Sequence, residues 1–223
     1  ADSFTAGIVI APERGFLSQM RLSVDYYDIE VDDAIGLLGA QTLVQRCNDG
    51  ATEFCGLITR DAGTDTVIEV QDVLLNANSV QTKGVEVEFA YRQPLFADTE
   101  MNLRLLGTYI DELVTVDSAG PTDRAGQTGS RAGAILGVPD YTIDGVASFT
   151  SGDATVALHG RYIPSGMYNV AFIGPDDPDF AITLPTSVNN NRIPDRFYLD
   201  MSFTQTVSFG ENNRAEFFVA VNN

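Results

Sequence analysis

Residues 80–95 read VQTKGVEVEFAYRQPL, and from Val85 onward apolar and polar residues alternate. Val85, Val87, Phe89 and Tyr91 fall on one face of an extended chain, while Glu86, Glu88 and Arg92 fall on the other with small Ala90 between them. Successive side chains of a strand point to opposite faces, so such a segment needs an apolar surrounding on one side and a polar one on the other. The same period recurs along the chain. It appears in Phe4, Ala6, Ile8 and Ile10, and in Leu22, Val24 and Tyr26 with Ser23 and Asp25 opposite. Leu103, Leu105, Gly107 and Tyr109 oppose Arg104 and Thr108; Tyr141, Ile143, Ala147 and Phe149 oppose Thr142, Asp144 and Ser148. Val156, Leu158 and Tyr162 oppose Thr155, His159 and Arg161; Phe197, Leu199, Met201 and Phe203 oppose Tyr198, Asp200, Ser202 and Thr204. Phe217, Val219 and Val221 oppose Glu216 and Asn222. The pattern predicts an all-β chain of about eight strands, the third running from about Thr66 to Gln93. At Tyr26-Tyr27 it blurs, which predicts a bulge or a change of environment.

The connections narrow the architecture further. PERG, PLFADTE, SGD and FGENN are short and rich in turn-forming residues. Between them lie long segments, roughly residues 33–65, 117–139 and 164–193. Strict alternation of short and long connections places every tight turn at one end of an antiparallel up-and-down meander and every long loop at the other, the arrangement of transmembrane β-barrels. Charged residues recur on the polar faces (Glu86, Glu88, Arg104, Arg161, Asp200), which fits a wet or plugged lumen, and the apolar faces would then meet lipid. One helical period interrupts the pattern. In DDAIGLLGAQTLVQRC it gathers Ile35, Leu38, Leu43 and Cys47 near one face, with Asp32 and Asp33 at the N-terminus, and predicts a short helix in the first long loop.

Composition sets limits. No apolar run reaches the ~20 residues of a membrane helix, whereas a spanning strand needs only about 10. With 13 Lys and Arg against 31 Asp and Glu, the net charge of −18 repels nucleic acid and argues against it as a partner. There is no glycine-rich phosphate loop, Cys/His cluster or serine nucleophile motif, so nothing suggests an enzyme or a cofactor. The first residues, ADSFTAGIVIAP, and the last, RAEFFVAVNN, read as internal stretches of a longer protein.

LSVDYYDIEVDDAI, RCNDGATEFCGLITRD, VLLNANSVQTKGVEVEFAYR, RFYLDMSF and the terminal AVNN, in this order, resemble the C-terminal barrel region of TonB-dependent outer-membrane receptors. The resemblance covers nearly the whole chain. It implies that residues 1–223 are part of a barrel of about 22 strands with a plugged lumen. The plug domain and the final C-terminal strand would lie outside residues 1–223. It also implies a Gram-negative outer membrane and energy-coupled uptake of a nutrient ligand such as a carbohydrate, a siderophore or another metal chelate. Implied partners are outer-membrane lipid, the plug and remaining barrel strands of the parent chain, and TonB through the parent protein. Two other readings stay open at this point: a complete small eight-stranded barrel with a structural or adhesive role, and a soluble secreted β-domain binding glycan or protein.

Individual residues follow. Cys47 and Cys55 are the only cysteines, and in an oxidising compartment a disulfide is the economical reading. The only histidine, His159, lies far along the chain, which disfavours a metal site with them. His159 has no nucleophile or orienting partner near it in sequence and reads as a structural residue facing the lumen, with Glu86, Glu88, Arg104, Arg161 and Asp200. GPDDPDF gathers Asp176, Asp177 and Asp179; its two prolines and the missing ring-closing Glu favour a solvated loop tip over a calcium site. Those acids, together with Tyr168 and Phe172, are candidate ligand-facing residues of the third long loop. Tyr91, Tyr109, Tyr162, Phe197 and Phe203 are candidates for an interfacial girdle, or ordinary strand formers. GQTGS and NNN read as loop composition.

Overall fold

The computed structural model describes residues 1–15, 17–96, 98–117, 120–129, 131–132, 135–184, 186–209 and 213–223. Eight strands run in series through its main sheet: β1 (Asp2–Ile10), β2 (Met20–Leu37), β3 (Leu74–Pro94), β4 (Thr99–Asp117), β5 (Tyr141–Ser151), β6 (Ala154–Ile163), β7 (Arg196–Phe209) and β8 (Asn213–Val221); off that series the short strand Gly120–Asp123 folds back on the end of β4. Every strand pairs antiparallel with the next in sequence, so order across the sheet equals order along the chain. Among the described residues β1 pairs only with β2 and β8 only with β7, so the sheet does not close on itself. A complete eight-stranded barrel would require that pairing.

Register carries the two faces across all eight strands. Leu22, Phe89, Leu105, Gly145, Gly160 and Leu199 follow one another on one side, and one residue along lie Ser23, Glu88, Leu106, Asp144, Arg161 and Tyr198 on the other. The apolar face is bounded by rings. Tyr26, Tyr109 and Tyr141 share one transverse row with Val85 near the long loops, with Tyr162 6.2 Å from Tyr141. Towards the short turns, Met101, Phe149, Val156 and Phe203 share another row. From Met101 to Tyr109 is about 26 Å of strand at ~3.3 Å per residue, or roughly 20 Å once tilted by ~40°. That is close to the ~25 Å apolar band of an outer-membrane barrel. Just beyond the tyrosine row the same face turns charged, with Lys83 bridging Glu112 at 2.7 Å.

Among the described residues nothing covers the apolar face. Phe197 is 60% exposed and Leu199 47%. Among the described residues the buried apolar side chains are Leu38 and Leu43 of the first long loop and Pro164 at the start of the third, none of them in the sheet. A sheet in water would need a second layer over this face, whereas the wall of a membrane barrel would set it against lipid.

Three expectations are corrected. The helix, α1, is Ala40–Asn48, not a segment begun by Asp32 and Asp33. Those two residues belong to β2, which stays paired with β3 as far as Leu37 opposite Leu74; the ladder satisfies backbone groups that a helix would otherwise claim. The side chains of Asp33 and Ile35 lie outside what is described. The third strand begins at Leu74, because Val67–Val70 instead pairs with Ile58–Arg60 as a hairpin inside the first loop. At Tyr26-Tyr27 the register is unbroken: Tyr26 points to the apolar face and Tyr27 covers Gly84 on the polar one. The shifts lie further on, between Val31 and Ile35 and beside Lys83.

The short connections are residues 11–19, 95–98, 152–153 and 210–212, and the long ones 38–73 (loop 1), 118–140 (loop 2) and 164–195 (loop 3). Ala97 of PLFADTE, residues 210–212 of FGENN and Ser130 of GQTGS lie outside the described residues. β2, β3 and β4 run 18, 21 and 19 residues. A bilayer needs only about 9–11, so these strands continue past it on the long-loop side.

Candidate functional site

On the polar face, register assembles pairs that distance along the chain conceals. Arg104 Nε donates to Glu88 Oε1 at 3.0 Å, and Arg92 Nη2 to Glu100 Oε2 at 2.6 Å. Arg21, Arg92, Arg104, Asn102 and Ser148 line a shallow concavity of about 580 Å³ towards the short turns. His159 Nε2 lies 3.0 Å from Asp144 Oδ2, and its Nδ1 lies 3.5 Å from Asp200 Oδ2. Both ring nitrogens therefore face carboxylates on flanking strands, partners the local sequence did not offer. Glu86 and Arg161 occupy the same face, in register with Thr108 and with Asp144 and Tyr198. Exposed pairs of this kind are worth at most about 1 kcal/mol each, so they organise the surface more than they stabilise it.

At the long-loop end, loop 3 presents two rings. Tyr168 and Phe172 lie 6.1 Å apart, 23° from parallel, and Tyr168 is half exposed. The five-residue segment that carries them is clamped from two sides. From its own loop, Asn191 Oδ1 accepts the Asn169 N–H at 3.1 Å, while Asn191 Nδ2 donates to the carbonyls of Asn169 and Phe172. From loop 2, Gln127 Oε1 accepts the Val170 N–H at 3.1 Å. Gln127 is fully buried, and the same oxygen accepts from Arg124 Nη1, whose Nε reaches Thr115 Oγ1 on β4. Two backbone bonds of 2.8 Å join the loops alongside: Thr128 N–H to the Met167 carbonyl and Met167 N–H to that of Gly126. Close approach requires glycine here. A Cβ on Gly137 would strike Gln127, and one on Gly129 would strike Ile193 and Tyr168. Ala125, Gly126, Asp140, Ser165, Gly166 and Met167 line a hollow of about 330 Å³ between the loops.

Beyond the rings, the Ile173 N–H bonds to the Thr186 carbonyl and the Val188 N–H to that of Ile173, closing residues 174–187 into a lobe. Asp176, Asp177 and Asp179 are exposed on it. Asp177 Oδ1 accepts the Asp179 N–H at 2.9 Å and so caps its own turn. Among the described residues no group of three or more acidic, His or Cys side chains is arranged to hold a metal ion.

Loop 1 is built differently. Cys47 and Cys55 form a disulfide joining α1 to the 3-10 turn Thr52–Leu57, and Leu43, one turn before Cys47 on α1, is fully buried. Arg46 lies 5.2 Å from the Phe54 ring centre. Asp61 ties the hairpin tip, accepting from the Gly63 and Thr64 N–H groups and the Thr64 hydroxyl at 2.9–3.0 Å. Those bonds, the Thr64 hydroxyl foremost, hold its carboxyl below the usual carboxylate range.

Gln127 of GQTGS and Asn191 of NNN lie in loops, as those stretches suggest, and their side-chain amides are what close loops 2 and 3. Their hydrogen bonds to the backbone of 169–172 distinguish them from neighbouring polar residues.

An open meander with an uncovered apolar band, a paired polar face and all long loops at one end is a segment of a barrel wall. The whole chain, residues 1–223, matches the family described as TonB dependent receptor-like, beta-barrel. The chain belongs to that family. It is barrel wall of a TonB-dependent receptor, a transporter of the Gram-negative outer membrane and not an enzyme. No curated protein matches it. Family membership also sets aside the soluble-domain reading and implies a plug and coupling to TonB.

Proposed function

We propose that this receptor barrel serves energy-coupled uptake of a nutrient ligand, a carbohydrate, a siderophore or another metal chelate. The ligand would first meet loop 3, at Tyr168, Phe172 and the lobe bearing Asp176, Asp177 and Asp179. Residues 1–223 supply wall and external loops, while the plug, the remaining strands and the TonB-coupling segment belong to the parent chain. In this reading Glu86, Glu88, Arg104, His159, Arg161 and Asp200 face the lumen and the plug, where their charges stay solvated or paired. The observation that carries the reading is the clamped, stacked ring pair on the long-loop side, with Tyr168 exposed and Phe172 half-buried beside it. Two aromatic faces held in place cost little entropy when a ring or chelate settles on them.

The test uses the full-length receptor in cells supplied with a panel of ferric siderophores, cobalamin and oligosaccharides. Depletion of one class should depend on both the receptor and TonB. Tyr168→Ala with Phe172→Ala should weaken it by about tenfold or more, as expected when anchors worth upwards of ~1 kcal/mol each are removed. Uptake unchanged in the double variant would remove these rings from the ligand path.

A further inference from the structure

We infer that Gln127 of loop 2 is the positioning residue for the aromatic pair of loop 3, making loops 2 and 3 one mechanical body anchored to β4. The route is continuous. Thr115 on β4 accepts from Arg124, Arg124 donates to Gln127, and Gln127 holds the Val170 N–H midway between Tyr168 and Phe172. Burial gives the link its strength. Water cannot reach Gln127 to replace the Val170 N–H when that bond breaks, so parting the two loops here costs more than breaking an exposed bond. The Thr128 and Met167 backbone bonds lie beside it, and Gly137 and Gly129 leave room for the side chain and the ring. Movement of the ring pair is thereby transmitted to β4 without passing through the rest of loop 3. Its consequence for uptake rests on the ligand-facing reading of Tyr168 and Phe172; the coupling itself does not.

Hydrogen–deuterium exchange on the full-length receptor in detergent tests this, with heavy water as the only probe. In the unaltered protein the Thr128, Met167 and Val170 amides should exchange at one common rate. Gln127→Leu, which keeps bulk and removes the acceptor, should speed exchange about tenfold or more in both 120–129 and 166–173, leaving β5–β8 unchanged. Gln127→Glu, which keeps an acceptor oxygen beside Arg124, should restore most of the protection. Acceleration confined to loop 2, acceleration spread through β5–β8, or a Val170 amide already faster than the other two would overturn the coupling. If Tyr168→Ala leaves uptake intact while Gln127→Leu loosens both segments, the coupling stands and the ligand-facing reading falls.

Discussion

The wall and the loops of this receptor barrel are held by opposite means. The wall is ordered by backbone register over eight strands, and among the described residues its sheet buries no apolar side chain. Most of the buried side chains belong to the loops, Leu38, Leu43 and Arg46 to loop 1 and Gln127 to loop 2, and Thr115 of β4 is buried where it receives Arg124 of loop 2. Lipid solvates the wall's apolar face, so the wall needs no core, only an unbroken hydrogen-bond ladder. The loops stand in water and must satisfy themselves, loop 1 with a disulfide over a small core and loops 2 and 3 with side-chain amides.

Adjacent residues give the strongest way to break this comparison. Leu105 and Leu106 are 38% and 40% exposed, but the register sends them to opposite faces. Leu105→Arg should cost about 2–4 kcal/mol, as for arginine near the middle of the bilayer. Leu106→Arg lies between Glu88 and Asp144 and should cost less than about 1 kcal/mol. Denaturant unfolding of the full-length receptor in lipid vesicles measures both, and equal costs would mean that the faces are not distinguished.

Removing the disulfide sharpens the contrast within the loops. Cys47→Ser with Cys55→Ser should cost on the order of 2.5 kcal/mol of loop 1 stability by loop-closure entropy. Proteolysis within 38–73 should accelerate while loops 2 and 3 keep their resistance.

The smallest effect concerns Asp61. Its folded pKa lies below its unfolded value, so its bonds contribute fully above about pH 4 and are lost as pH falls through the folded value. Pepsin cleavage of the hairpin tip, taken relative to Asp61→Asn, should rise as the pH drops from 5 to 2. A constant ratio would mean that the carboxylate does not hold the tip.

The contrast also explains what could be read from the residues alone. A wall repeats one rule, so Val85, Val87, Phe89 and Tyr91 announce their face and the strand count follows. Where the rule met competition, reading failed: the β2–β3 ladder runs on through Asp32 and Asp33 to Leu37 and delays the helix to Ala40. The disulfide was legible because two cysteines permit one pairing. Gln127, Asn191 and the carboxylates beside His159 were not, since each acts through one contact set by tertiary register. No period marks a residue whose partner lies 43 positions away, as Val170 does from Gln127.

The central claim is that the Leu105 face meets lipid and the Leu106 face the lumen. Nitroxide labels placed singly along β4 from residue 103 to 109, in the full-length receptor reconstituted in lipid, test it most directly. Collision with oxygen, which concentrates in the bilayer, should peak at 103, 105, 107 and 109 and fall at 104, 106 and 108. Peaks at the even positions, or no period of two, would contradict it.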